Sequence, residues 1–89
     1  MQEAELSAFI ARSPQQVGRL LQRFRRERGL NQTELGQLAG LRQEMISKIE
    51  TGQSGVKLST VCDVLAALGL EMTIASRTKS SSVDIENIF

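Results

Sequence analysis

Eighty-nine residues make one small domain, and a chain of this length buries only about 60–65% of its unfolded surface, so a second copy would add useful stability. Apolar residues are 40% of the chain and charged residues 24%, an ordinary balance for a soluble globular protein; eleven basic against ten acidic residues leave +1, which does not announce nucleic acid by itself. Histidine is absent and Cys62 is the only cysteine, which removes Ser–His–Asp and Cys–His catalysis, histidine-based metal sites, zinc fingers and an internal disulfide. No apolar run approaches the length of a membrane span, and Glu3 and Glu5 are unlike the basic start of a signal peptide. The expectation is a cytoplasmic, non-enzymatic module without cofactor or metal.

Residues 1–12 read as a short N-terminal arm, with Leu6, Phe9 and Ile10 as its apolar positions. Ser13-Pro14 then supplies an N-cap and a first-turn proline, with Gln16 at the capping-box position. Val17, Leu20, Leu21 and Phe24 follow the spacing of one buried helical face, and Gly29 stops this first helix near residue 28. Arg12, Arg19, Arg23, Arg25, Arg26 and Arg28 crowd this segment beside a single acid, Glu27. They are either a solvated face or anion contacts.

Asn31-Gln32-Thr33-Glu34 forms a second capping box and opens a helix carrying Leu35, Leu38 and Ala39. Gly40 ends it, and after Leu41 a third helix runs to about Thr51, before Gly52. Leu58, Val61, Val64, Leu65 and Leu68 mark a fourth amphipathic helix, stopped at Gly69; Cys62 within it is expected to be a small buried apolar residue. Leu70, Met72 and Ile74 then alternate with Glu71, Thr73 and Ala75, the period of a strand. A lone strand has no partner in a helical chain, so it either pairs with its counterpart in a second copy across a twofold axis or stays unpaired. The first is expected, with Leu70, Met72 and Ile74 as dimer contacts. Residues 76–89 form a C-terminal tail that starts as a linker-like SRTKSSS and ends in SSVDIENIF. Disorder is its default, and Ile85, Ile88 and Phe89 make a partner-binding motif the alternative.

The segment 32–51, QTELGQLAGLRQEMISKIET, has the spacing of a helix-turn-helix. Gly36 is small where two helices must cross, Gly40 tolerates the left-handed turn, and Leu35, Leu41, Ile46 and Ile49 supply the apolar contacts. Gly36 is expected to cost about 1 kcal/mol in helix propensity relative to alanine. On the second helix Gln43, Glu44, Ser47, Lys48 and Thr51 share an arc of about 140°, opposite Met45, Ile46 and Ile49. Such a face fits the major groove: Gln43 can pair with adenine, Lys48 can reach guanine or a phosphate, and Arg42 enters at the helix start. Glu44 either accepts from cytosine N4 or pairs with Lys48 one turn on, and the ion pair is favoured here. Helix N-termini at Gln32 and Thr33, and at Lys57 and Ser59, are candidate phosphate anchors, with Thr51 beside them.

These residues resemble a known group. Ser13-Pro14, GLNQTEL at 29–35, ISKIE at 46–50 and LEMTI at 70–74 make residues 13–75 similar to the xenobiotic-response-element (phage-repressor and Cro) family of helix-turn-helix domains, and within it to the HipB-type antitoxins. The resemblance implies an all-α domain of four to five helices with one C-terminal β-strand pairing across a homodimer. It implies a palindromic double-stranded operator and a HipA-like kinase toxin as partners. It also implies that Arg25 and Glu50 form a structural clamp between the first helix and the end of the recognition helix. Gly36, Arg42 and Glu44 depart from the common pattern; the latter two bear on the target sequence rather than the fold. A stand-alone regulator, and a protein-interaction module that does not read DNA, are the competing readings. Three phenylalanines without tyrosine or tryptophan disfavour single-stranded RNA.

Overall fold

The computed structural model describes residues 9–77, an assembly of four helices: α1 (Pro14–Glu27), α2 (Gln32–Ala39), α3 (Gln43–Glu50) and α4 (Leu58–Ala67). The rest of the expected N-terminal arm and C-terminal tail, with Leu6, Ile85, Ile88 and Phe89, lies outside the described residues. The starts of α1 and α2 are set locally by side-chain caps. Ser13 Oγ accepts from the Gln16 N–H at 3.1 Å, while the Gln16 side chain accepts from the N–H of Arg12, one residue earlier than a regular capping box requires. At α2 the box is complete: Asn31 Oδ1 accepts from the Glu34 N–H at 2.7 Å and Glu34 Oε1 from the Asn31 N–H at 2.9 Å.

Leu21, Leu35, Ile46, Ile49, Val64 and Leu68 form the buried core, with Val17, Phe24, Leu41, Met45, Val61 and Leu65 packed around it. Every helix contributes at least one of the six, so none can leave without opening the core. Helix α2 packs on α3 and α4, and α1 packs on α3. The α2–α3 turn is made by Gly40 at φ +73, where a side chain would be strained. The N–H of Leu41 folds back to the Gly36 carbonyl at 2.8 Å. A β-carbon at Gly36 would stand 2.6 Å from the Leu41 carbonyl oxygen. That lack of room corrects the expectation of a simple propensity cost, because alanine would have to push the turn outward.

A tighter contact lies at Gly18, which composition and periodicity did not single out. Helix α1 crosses the end of α3 there, and a β-carbon would meet the carbonyl oxygens of Ile49 at 2.4 Å and Glu50 at 2.6 Å. One turn earlier, Gln15 lies against Gly52 and donates its side-chain amide to that residue's carbonyl at 3.5 Å. Glycines on both sides of the crossing let α1 rest directly on backbone.

One expectation about α4 needs correction. Cys62 is exposed rather than buried: it stands about 200° from the buried Val64 around α4, and Leu58 is also mostly exposed. The expected strand does not form in the single chain. Among the described residues no strand is present, and 70–77 follow α4 without regular structure. The reason is the absence of any neighbouring strand to receive its backbone groups.

Candidate nucleic-acid interface

The central feature is the carboxylate of Glu50, at the last position of α3. Arg25 grips it with two hydrogen bonds, Nε to Oε2 at 2.6 Å and a terminal nitrogen to Oε1 at 3.0 Å, the planar fork geometry that lysine does not offer. Arg25 also donates to the Leu30 carbonyl at 2.8 Å, tying down the α1–α2 loop. Both residues are buried, and no buried side-chain polar atom among the described residues lacks a partner. The hydrogen bond to Glu50 raises the Arg25 pKa above its ordinary value, against the opposing effect of burial. Burial pushes the Glu50 carboxyl up, but hydrogen bonds from Arg25, Gln32 and Gln22 and the guanidinium charge outweigh it and hold the group below its ordinary value.

Two further donors converge on the same oxygen. Gln22 reaches Glu50 Oε1 at 3.3 Å and Gln32 reaches it at 3.0 Å. Gln32 then accepts from the side-chain amide of Gln43, the first residue of α3. A chain Arg25–Glu50–Gln32–Gln43 therefore links α1, the end of α3, the start of α2 and the start of α3. Neither Gln22 nor the relay through Gln32 was read from sequence. The glutamine-rich spacing gave no signal, because the partners are distant in the chain and only the helix crossing brings them together.

The other candidate residues are placed as follows. Gln43, Glu44, Lys48 and Thr51 are exposed along one side of α3, with Ser47 half-buried between them, and Met45, Ile46 and Ile49 turn inward. Arg42 is the N-cap of α3 but makes no side-chain capping bond, so it does not close off the helix start. Glu44 and Lys48 do not form the expected ion pair; among the described residues the ion pairs are Arg23–Glu27 and Arg25–Glu50. An exposed pair at this spacing contributes only about 0.3–0.5 kcal/mol, too little to impose one geometry on two long side chains. Thr33 is exposed in the first turn of α2, and Lys57 and Ser59 are exposed at the start of α4, whose N-terminus has no side-chain cap. Thr51 is different. Its hydroxyl lies within 3.0 Å and 3.1 Å of the Ser47 and Lys48 carbonyls, so its proton is already donated within the helix.

The arginine run divides. Arg25 belongs to the buried clamp, whereas Arg19, Arg23, Arg26 and Arg28 are exposed. Arg23 sits over the Phe9 ring at 5.2 Å and Arg28 over the Phe24 ring at 5.5 Å. On the side of the molecule formed by α1 and α4, Leu70, Met72 and Ile74 line an apolar groove of about 520 Å³ together with Val17, Leu20 and Phe24. Ile74 is 98% exposed and Met72 51%.

Four helices, a glycine turn between α2 and α3, and a polar outer side on α3 define a helix-turn-helix protein. The chain belongs to that family: a helix-turn-helix domain model matches residues 16–73. Within the family it is homologous to the antitoxin HipB. The Escherichia coli HipB protein is 30% identical over 74 residues, which cover 83% of this chain and 84% of that protein. An uncharacterised transcriptional regulator of this type from Haemophilus influenzae is 40% identical over 50 residues, covering 56% of this chain. This chain spans only about half of that regulator's length, 51%. Among solved structures, the HipA-HipB-O2-O3 complex contains a chain that superposes with a TM-score of 0.72 at 29% identity, covering 78% of this chain and 97% of the other. A chain in a HipB-O4 20mer complex superposes equally well, again with a TM-score of 0.72 and 29% identity over 78% of this chain and 97% of its own.

Proposed function

We propose that this protein is a dimeric repressor that reads a palindromic double-stranded operator and serves as the antitoxin of a HipBA-like operon in the cytoplasm. The observation that carries the reading is the Arg25–Glu50–Gln32–Gln43 relay. It fixes the first side chain of α3 relative to the start of α2, and a base-reading group is useful only when it is held in register with a backbone anchor. Gln43 then takes a base edge, with Arg42, Glu44, Ser47 and Lys48 beside it, and the amides of α2 and α4 near Gln32, Thr33, Lys57 and Ser59 take phosphates. Thr51 contributes a phosphate contact only if its hydroxyl turns away from the helix carbonyls.

Dimerisation rests on the exposed apolar side chains of Met72 and Ile74, with half-buried Leu70 anchoring the segment to the core, and on the backbone of residues 71–75, which belongs to no helix or strand. Pairing it with its counterpart in a second copy satisfies both at once. The toxin partner rests on likeness to HipB over most of both chains, and on the complex in which HipB occurs together with HipA. A second reading, a stand-alone regulator without a toxin, is favoured by the match to the Haemophilus influenzae regulator. The two separate on one experiment. The protein is co-expressed with the product of the adjacent gene, with growth and co-purification as readouts. Rescue of growth together with a stable complex supports the antitoxin role, and operator binding without either supports the stand-alone regulator.

A further inference from the structure

Helix α3 carries a carboxylate where a DNA-reading helix ordinarily avoids one. Glu44 is exposed at the second position of α3, close to the helix end that enters a major groove first. Its charge is not used within the described part of the protein. Lys48 lies on the same side one turn on and Arg42 stands two residues before it, yet neither forms an ion pair with it. Gln43 is held by Gln32 with one amide hydrogen and its carbonyl oxygen left for a base, and Glu44 is the side chain that follows it at the same end of the helix.

An ionised carboxylate only accepts hydrogen bonds. Guanine offers acceptors at N7 and O6, and thymine offers O4 and a methyl group, so both repel it. Adenine places its N6 donor beside the N7 acceptor. Cytosine alone presents an amino donor without an acceptor on its own edge. Resting on the operator reading above, we infer that Glu44 sets base identity at one position of each half-site by accepting from the N4 amino group of cytosine. The same charge weakens binding to every duplex lacking that donor, since an unsatisfied carboxylate then faces the phosphates. Lys48, unpaired and about 40° round the helix, offsets part of this repulsion and reaches the acceptors of a neighbouring guanine.

The test uses the full chain, as wild type and as Glu44→Gln, which keeps the shape and removes the charge. Each protein selects from a library of duplexes with randomised half-sites, and affinities are then measured with each base at each selected position. The expected wild-type motif requires cytosine at one position, with a loss of roughly 5- to 100-fold for guanine or thymine there. In Glu44→Gln that position alone turns toward adenine, and binding to scrambled duplex tightens. An unchanged motif with uniformly tighter binding would overturn the inference and leave Glu44 as a solvated helix-terminal acid. A wild type that enriches no motif would overturn the operator reading and the inference with it, an outcome separable from the first because wild type alone reveals it. Equal melting temperatures for the two proteins establish that the differences arise at the DNA.

Discussion

Gln32 donates its side-chain amide to Glu50 at 3.0 Å, joining the first residue of α2 to the last residue of α3. The two ends of the helix-turn-helix are thereby held by a carboxylate that Arg25 also grips from α1. One side chain thus has a structural part, closing the crossing of α1 over α3, and a functional part, orienting the glutamine against which Gln43 is set. The two parts can be separated. Removing the Glu50 carboxylate by Glu50→Ala strands a buried guanidinium and should cost about 3 kcal/mol of stability. Replacing both partners, Arg25→Met with Glu50→Leu, should restore most of that stability while operator affinity stays low. Chemical denaturation together with DNA titration checks it, and full recovery of binding in the double variant would show that Gln32 needs no positioning.

The depressed pKa of Glu50 gives a pH dependence whose sign is fixed. The folded value lies below the ordinary 4.5, so the unfolded chain binds the extra proton between the two values. The stabilisation is fully present above about pH 4.5 and is lost as pH falls through the folded value. Unfolding free energy measured from pH 6 down to pH 3 should fall along this course. Glu50→Gln should be less stable at pH 6 and flatter below pH 4.5.

Gly18→Ala separates helix propensity from packing. Propensity alone favours alanine by about 1 kcal/mol in mid-helix. The carbonyls of Ile49 and Glu50 leave no space for a β-carbon, and forcing one in costs about 1–3 kcal/mol. The melting temperature should fall, by about 4–8 °C for each kcal/mol by which the crowding exceeds the propensity gain in a domain of this size. A rise would mean that α1 does not cross α3 at this residue.

Substitutions at the two helix ends proposed to face DNA should differ in kind. Gln43→Ala should cost about 1–3 kcal/mol on the cognate duplex and relax preference at one base pair. Lys57→Ala should weaken all duplexes alike and reduce the salt slope by about 1. Binding measured on a panel of single-base variants distinguishes them.

Much of this was legible because it depends on neighbours in sequence. Ser13, Asn31 and Gly40 each act on residues within four positions, and they announce helix starts and a turn without knowledge of the fold. The Arg25–Glu50 pair came only through resemblance, and Gln22, Gln32 and Gly18 acquire their meaning at a crossing between segments some 18 to 32 residues apart, where periodicity carries no information. Cys62 was misplaced because an apolar neighbourhood in sequence does not say which side of α4 meets the core. The Glu44–Lys48 pair failed for another reason: correct spacing permits a contact that is too weak to be imposed. The strand pattern at 70–75 belongs to a second copy or to nothing, and one chain cannot supply its partner.

The dimer expectation has its own check. Met72→Glu with Ile74→Glu places charge on the two most exposed apolar side chains of that segment. Sedimentation should show a monomer, with operator affinity lost alongside. A variant that still sediments as a dimer would place the interface elsewhere.

The central claim is that α3 reads duplex DNA, and fluorescence anisotropy tests it most directly. A labelled duplex carrying the inverted repeat nearest the gene's own promoter is compared with a scrambled duplex at about 50 and 200 mM salt, where phosphate contacts appear as a fall in affinity with ionic strength. The account predicts tight, salt-sensitive binding that prefers the repeat. Equal or absent binding to the two duplexes at both salt concentrations would contradict it.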